Sequence, residues 1–266
     1  MNEDLFGKKA VIAGSTAGVG FDIAKALALA GAEVVINGRR EAAVRGAVER
    51  LAAEVPSSVV HGVACDVGTA EGCSRLISEH PHADVFVNNI GIYESIDFLD
   101  VSDEEWTRYF EVNVMSAIRL SRAYLPGMMK NYFGRIVLIS SEWAINTPTD
   151  MIPYGLTKAA VFHLAQSLSK RMSCTGVTVN ALLLGPVRAT HDDRRGSDGE
   201  LCLAMEETLS ALKDDHNPWM AGFQHVATTD EVANTVLYLA SAKASATTGA
   251  LLHLNGDFGV ARQRMN

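Results

Sequence analysis

Residues 8 to 20 read Lys8-Lys9-Ala10-Val11-Ile12-Ala13-Gly14-Ser15-Thr16-Ala17-Gly18-Val19-Gly20, and Phe21, Ile23, Ala24, Leu27 and Ala28 follow at helical spacing up to Gly31. A short apolar run, a glycine-rich turn and an amphipathic repeat predict strand, turn and helix in that order. The alternation continues down the chain. Strands are predicted at Glu33–Asn37, Val59–Ala64, Asp84–Val87, Arg135–Ser140, Val177–Leu183 and Leu251–Leu254. Helices are predicted at Arg40–Glu54, Thr69–Glu79, Asp103–Asn131, Pro153–Met172 and Asp230–Ser241, with Pro126 expected to kink the long one or split off its last turn. Parallel strands need crossover connections, so this pitch predicts an α/β fold: one doubly wound, parallel, seven-stranded sheet of Rossmann type.

The length of 266 residues suits one such domain, and no linker, repeat or low-complexity tract suggests a second. The longest departure, residues 189–228, carries Leu201, Met205, Trp219, Met220 and Phe223 and is expected to be a substrate lid. With 48% hydrophobic residues the chain can bury a full core. A net charge of −8 argues against nucleic-acid or anionic-membrane surfaces, which need a basic face. No apolar run reaches the ~18 residues that cross a bilayer. Four cysteines without C-x-x-C or zinc spacing fit a reducing cytoplasm, and no histidine cluster suggests a metal.

The turn Gly14-x-x-x-Gly18-x-Gly20 joins the first strand to the first helix. Free backbone N–H groups at a helix N-terminus, with no side chains in the way, suit a pyrophosphate. The end of the second strand reads Asn37-Gly38-Arg39-Arg40. An acid there would favour the ribose hydroxyls of NAD. An arginine pair without an acid favours the 2′-phosphate of NADP(H). Further on, Tyr154 and Lys158 stand four residues apart on one helical face, so the ammonium is expected to lower the phenol's pKa. Such a pair could exchange a proton with a carbonyl oxygen near neutral pH.

Taken together, these motifs are similar to those of the short-chain dehydrogenase/reductase superfamily, in its short single-domain branch, over about Lys8 to Asp257. The glycine turn resembles T-G-x-x-x-G-x-G with Ala13 in place of threonine. Cys65-Asp66-Val67 looks like the segment that contacts adenine, and Asn88-Asn89-Ile90-Gly91 resembles N-N-A-G. Asn113 falls at the family's helix asparagine, Ser141 lies thirteen residues before Tyr154, and Asn180 and Gly185-Pro186-Val187 match the stretch along the nicotinamide. Leu184 and Asn255-Gly256-Asp257 depart from the usual proline and D-G-G.

The resemblance implies an NADP(H)-dependent oxidoreductase interconverting a ketone and a secondary alcohol, in cells toward reduction. Tyr154 would be the general acid/base, Lys158 its pKa-lowering and ribose-binding partner, Ser141 the hydroxyl on the substrate oxygen, and Asn113 the holder of a water linking Lys158 to solvent. Gly14, Ser15, Thr16, Gly18, Val19, Gly20, Arg39, Asp66, Val67, Asn89, Gly91, Tyr154, Lys158, Gly185, Pro186 and Val187 would bind the cofactor. Tyr93, Glu142 and Trp143 are candidates for the substrate pocket. The Tyr154 helix continues through Val161, Phe162, Leu164, Ala165 and Leu168, more apolar than one buried stripe requires. With family habit, this implies a homotetramer, a dimer being the alternative. A catalytically idle NADP-binding sensor or a nucleotide-sugar epimerase are the competing readings. The retained tyrosine–lysine pair weighs against the first, and the short C-terminal part against the second.

Overall fold

The computed structural model describes residues 4–188 and 226–256. Seven parallel strands form one sheet in the order β3-β2-β1-β4-β5-β6-β9. They are β1 (Lys9–Ala13), β2 (Glu33–Gly38), β3 (Val60–Ala64), β4 (Val85–Asn88), β5 (Gly134–Ser141), β6 (Val177–Leu184) and β9 (Leu251–Leu254). A separate parallel pair joins β7 (Val187–Arg188) to β8 (Ala227–Thr228). The doubly wound, seven-stranded prediction therefore holds.

Side chains alternate across the sheet and build two cores. Ala10, Ile12, Val34, Ile36, Val137 and Leu182 face α1 (Gly18–Leu29), α2 (Glu41–Glu54) and α7 (Thr229–Ala240). Val11, Val35, Phe86, Ile136, Val179 and Leu183 face α3 (Ala70–Glu79), α5 (Ser116–Lys130) and α6 (Ile152–Arg171). Every residue of β5 is buried, as expected of a central strand covered on both faces.

The long helix departs from its predicted form. It is α4 (Asp103–Tyr109), a π-helical turn at Phe110–Met115, and then α5. Pro126 lies inside α5 and splits nothing off: the helix runs on to Lys130. Pro126 and Arg122, whose carbonyl loses its partner, are both exposed, so water can serve that carbonyl. The change of register falls at the π turn, which carries Asn113.

Strand order reverses between β1 and β4, so a crevice opens where their C-terminal ends diverge. Gly14 follows β1 and Asn89 follows β4 at that point. The predicted lid lies outside the described residues except for 226–228. The chain leaves at Arg188 and returns at Ala227, which the β7–β8 pair holds side by side. Among the described residues, no helix is long and apolar enough to cross a membrane.

Candidate active site

A cavity of about 430 Å³ occupies the crevice and extends across the C-terminal edge of the sheet. One end is made by the glycine turn. Gly14 adopts φ +71° and Gly18 φ +53°, conformations that favour glycine. A Cβ on Gly20 would stand 2.1 Å from the Gly14 carbonyl oxygen, so the turn closes only on a bare backbone. Asn89 Nδ2 donates to that same oxygen at 2.8 Å and fixes the turn to the end of β4. Helix α1 begins at Gly18 with no side-chain cap and no acid in its first turn, and Ala17, Gly18 and Val19 line the cavity. Its free N–H groups and dipole thus face open space that suits an anion.

Arg39 and Arg40 line the wall beyond β2, both exposed. Asn37 does not compete with them. It is fully buried, and its Nδ2 donates to Val63 O at 3.1 Å and Cys65 O at 3.2 Å, bracing β2 against the end of β3. Asp66 and Val67 line the cavity nearby.

The other end holds the titratable groups. Ser141 ends β5, and a 3₁₀ turn at Glu142–Ala144 follows it at once. Ser141 Oγ accepts from Trp143 N–H at 3.2 Å and reaches toward Leu184 O at 3.4 Å. Tyr154 stands in the first turn of α6. Gly155 brings that turn in close, since a Cβ there would meet Thr147 Oγ1 at 2.2 Å and the Trp143 carbonyl at 2.7 Å. Tyr93 and Trp143 flank the Tyr154 ring, at centroid separations of 5.5 and 5.9 Å. Lys158 is buried, and its ammonium donates to Ile90 O at 3.2 Å and Ile139 O at 3.0 Å. Gly91 leaves room for it: a Cβ there would be 3.0 Å from Nζ.

Burial governs both pKa values. It pushes the Tyr154 phenol up to about 12 against the downward pull of the Ser141 hydroxyl, with Tyr109 adding a smaller upward push. It pushes Lys158 down to about 8. The expected lowering of the phenol by Lys158 is absent from this arrangement. The ammonium donates to two carbonyls and lies 5.7 Å from the tyrosine ring centroid, and burial is the leading cause for both groups.

Of the expected cofactor residues, Gly14, Thr16, Gly18, Val19, Arg39, Asp66, Val67, Asn89, Gly91, Tyr154, Lys158, Gly185, Pro186 and Val187 line the cavity. Gly20 is buried beneath the turn. Ser15 is buried too, its Oγ donating to Ile12 O at 2.7 Å and accepting from Asn37 N–H at 3.0 Å, so it braces the turn from below. Asn113 is fully buried. Its Oδ1 accepts from Ile92 N–H at 2.8 Å, and its Nδ2 donates to Ile92 O and Thr157 Oγ1, both at 3.0 Å. Its side chain ties the π turn to the Gly91 loop and α6. Tyr93 and Trp143 line the cavity, whereas the Glu142 carboxylate turns away toward β9. Gly155 and Arg108 escaped the sequence reading. A glycine inside an amphipathic helix was the available signal for the first. Nothing in the sequence marks Arg108 as a wall residue.

A family profile described as enoyl-(acyl carrier protein) reductase matches residues 13–259. The chain belongs to the short-chain dehydrogenase/reductase family. It is an oxidoreductase of that family. Its relatives include the uncharacterized oxidoreductase YvrD of Bacillus subtilis (strain 168), 39% identical over 261 residues and covering 96% of this chain and 98% of that one. L-sorbose reductase from Gluconobacter frateurii, solved with NADPH and L-sorbose, superposes with a TM-score of 0.83 at 29% identity, over 97% of this chain and 98% of that one. A 3-oxoacyl (acyl-carrier-protein) reductase from Agrobacterium tumefaciens C58, solved with NADP bound, gives 0.82 at 25% identity, over 96% and 95%. Among the described residues no group of three or more potential ligands could hold a metal ion.

Proposed function

We propose that this short-chain dehydrogenase/reductase reduces a ketone to a secondary alcohol with NADPH. The observation that carries the reading is the meeting of Ser141, Tyr154 and Lys158 in one cavity whose far end is a bare glycine turn and an uncapped helix N-terminus. That turn and helix end would hold the pyrophosphate, Arg39 and Arg40 the 2′-phosphate, and Gly185–Val187 the nicotinamide side. Once bound, the nicotinamide supplies the hydride. Relatives solved with NADPH and NADP support this choice of cofactor.

The chain's own residues manage the carbonyl oxygen. A phenol held up near 12 is protonated at neutral pH, the form a proton donor needs. In this reading the Ser141 hydroxyl donates to the same oxygen and stabilises developing charge. Lys158, held near 8, can release a proton close to working pH and take one back from solvent, which suits it to reload the phenol. Asn113 keeps α6, the π turn and the Gly91 loop in register around that lysine. Tyr93 and Trp143 would flank the substrate.

The surplus apolar positions on α6 support a homotetramer: Phe162, Leu164 and Leu168 remain partly exposed. Free thiols at Cys65, Cys73 and Cys174 suit a reducing cytoplasm.

The test is turnover of a ketone panel (an acetoacetyl thioester, L-sorbose, 2,3-butanedione and a β-keto ester) followed at the cofactor absorbance with NADPH and with NADH. Tyr154→Phe is expected to lower kcat at least about a hundredfold with cofactor affinity nearly unchanged. Arg39→Ala is expected to weaken NADPH binding about tenfold or more and NADH binding little. Failure of the native protein on every ketone, or near-native turnover by Tyr154→Phe, would sink the mechanism. Equal losses for both cofactors would sink the NADP assignment.

A further inference from the structure

Glu142 follows Ser141 directly and is only 4% exposed, yet its carboxylate does not line the cavity. Both carboxylate oxygens lie within hydrogen-bond reach of His253 Nδ1, at 2.8 and 2.9 Å, and Asn255 Nδ2 donates to Oε1 at 3.1 Å. Both partners sit on or just after β9, more than a hundred residues away in sequence. A carboxylate taken out of water costs stability unless donors surround it. Here they come from His253 on β9 and Asn255 just after it, so the carboxylate's hydrogen bonds clasp the Ser141 turn to β9.

That strand also holds the cofactor side of the cavity. Leu254 O accepts from Gly185 N–H at 3.0 Å, and a Cβ on Gly185 would lie 2.9 Å from Asn255 Cα. Ser141 Oγ is itself divided between Trp143 N–H, inside the turn that Glu142 opens, and Leu184 O, the residue before Gly185. The buried carboxylate therefore joins the Ser141 turn to β9, and β9 in turn holds the Gly185 segment.

We propose that Glu142 is a positioning residue for carbonyl reduction: clasped by His253 and Asn255, it holds the Ser141 turn and the Gly185 segment in mutual register so that the Ser141 hydroxyl points at the substrate oxygen. It never touches substrate and acts through Ser141. The inference rests on the role of Ser141 and Tyr154 proposed above.

The experiment compares native protein, Glu142→Ala, Glu142→Gln, His253→Ala and Tyr154→Phe on the ketone panel, with NADPH affinity by fluorescence and melting temperature for each. Glu142→Ala should lower kcat about tenfold or more while KM and NADPH affinity stay within about threefold. Glu142→Gln keeps a carbonyl for Asn255 and an amide opposite His253, and should recover most of that loss. His253→Ala should fall between them. Native kcat in Glu142→Ala, a Gln variant as impaired as Ala, or a change confined to melting temperature overturns the proposal. Should Glu142→Ala fail to fold, native kcat in His253→Ala overturns it equally. Loss of turnover in Tyr154→Phe alone means this inference has failed and the reaction reading stands. Turnover surviving in Tyr154→Phe, or absent from the native protein on every ketone, removes the reading and the inference together.

Discussion

Lys158 is charged in water but sits in a place that penalises charge. Its two carbonyl partners compensate only in part, and burial holds its pKa near 8. The sign of the resulting pH dependence follows by linkage. Between about 8 and the ordinary 10.5, the unfolded chain keeps the lysine proton and the folded chain sheds it, so stability rises with pH over that window. Tyr154 works in the opposite sense, but only above about 10, where the unfolded phenol ionises and the folded one does not. Denaturant titrations of native protein and Lys158→Met at pH 7, 8, 9 and 10 isolate the lysine, because the other groups cancel in the difference. The native protein should gain on the order of 2 kcal/mol relative to the variant across that range. A flat difference would mean Lys158 is not desolvated.

Among the elements, the β1–turn–α1 unit is the most demanding sterically. Gly20 packs against the Gly14 carbonyl, and Asn89 donates to that carbonyl from β4. Gly20→Ala places a methyl 2.1 Å from backbone oxygen, where nothing flexible can yield. It should cost about 2–4 kcal/mol of stability and weaken cofactor binding as well, checked by denaturant unfolding and fluorescence titration. This unit is local in sequence, so residues 8 to 28 sufficed to read it. The long helix was legible as a helix, but its π turn was not. That register shift is set by packing of Asn113 against Ile92 and Thr157, contacts that span 21 and 44 residues. Pro126 is visible in the sequence, but it splits no turn from the helix, because a proline on the solvent face leaves a carbonyl that water can satisfy.

Across the whole molecule, the two ends of the sheet divide the work. Cofactor cleft and titratable groups lie at the C-terminal ends of the strands, while Arg135 locks the opposite end. It is 3% exposed, donates to Ser241 O, Gly134 O and Gly176 O at 2.8–3.1 Å, and lies over the Phe133 ring. Arg135→Ala removes three hydrogen bonds donated by a buried guanidinium and leaves its space empty, and should lower stability by about 3 kcal/mol or more. Six residue steps along β5, roughly 20 Å, separate it from Ser141. At temperatures where the variant stays folded, kcat should therefore be unchanged, which a melting curve paired with the ketone assay would check.

What the sequence by itself determined is whatever short-range periodicity and local chemistry can write. That includes the alternating elements, the seven-stranded sheet, the bare glycine turn, the absence of an acid beside Arg39 and the Tyr154–Lys158 spacing, while Ser141 came from the family resemblance. Only the tertiary structure decided how buried charges are compensated. Lys158 could be placed on a helical face from its spacing, but not its commitment to Ile90 O and Ile139 O. Ser15 and Asn37 stood in the right motifs yet brace from beneath, and Glu142 stood beside Ser141 yet faces β9. Hydrogen-bond partners and desolvation depend on which distant segments the fold packs together, and no local pattern encodes that.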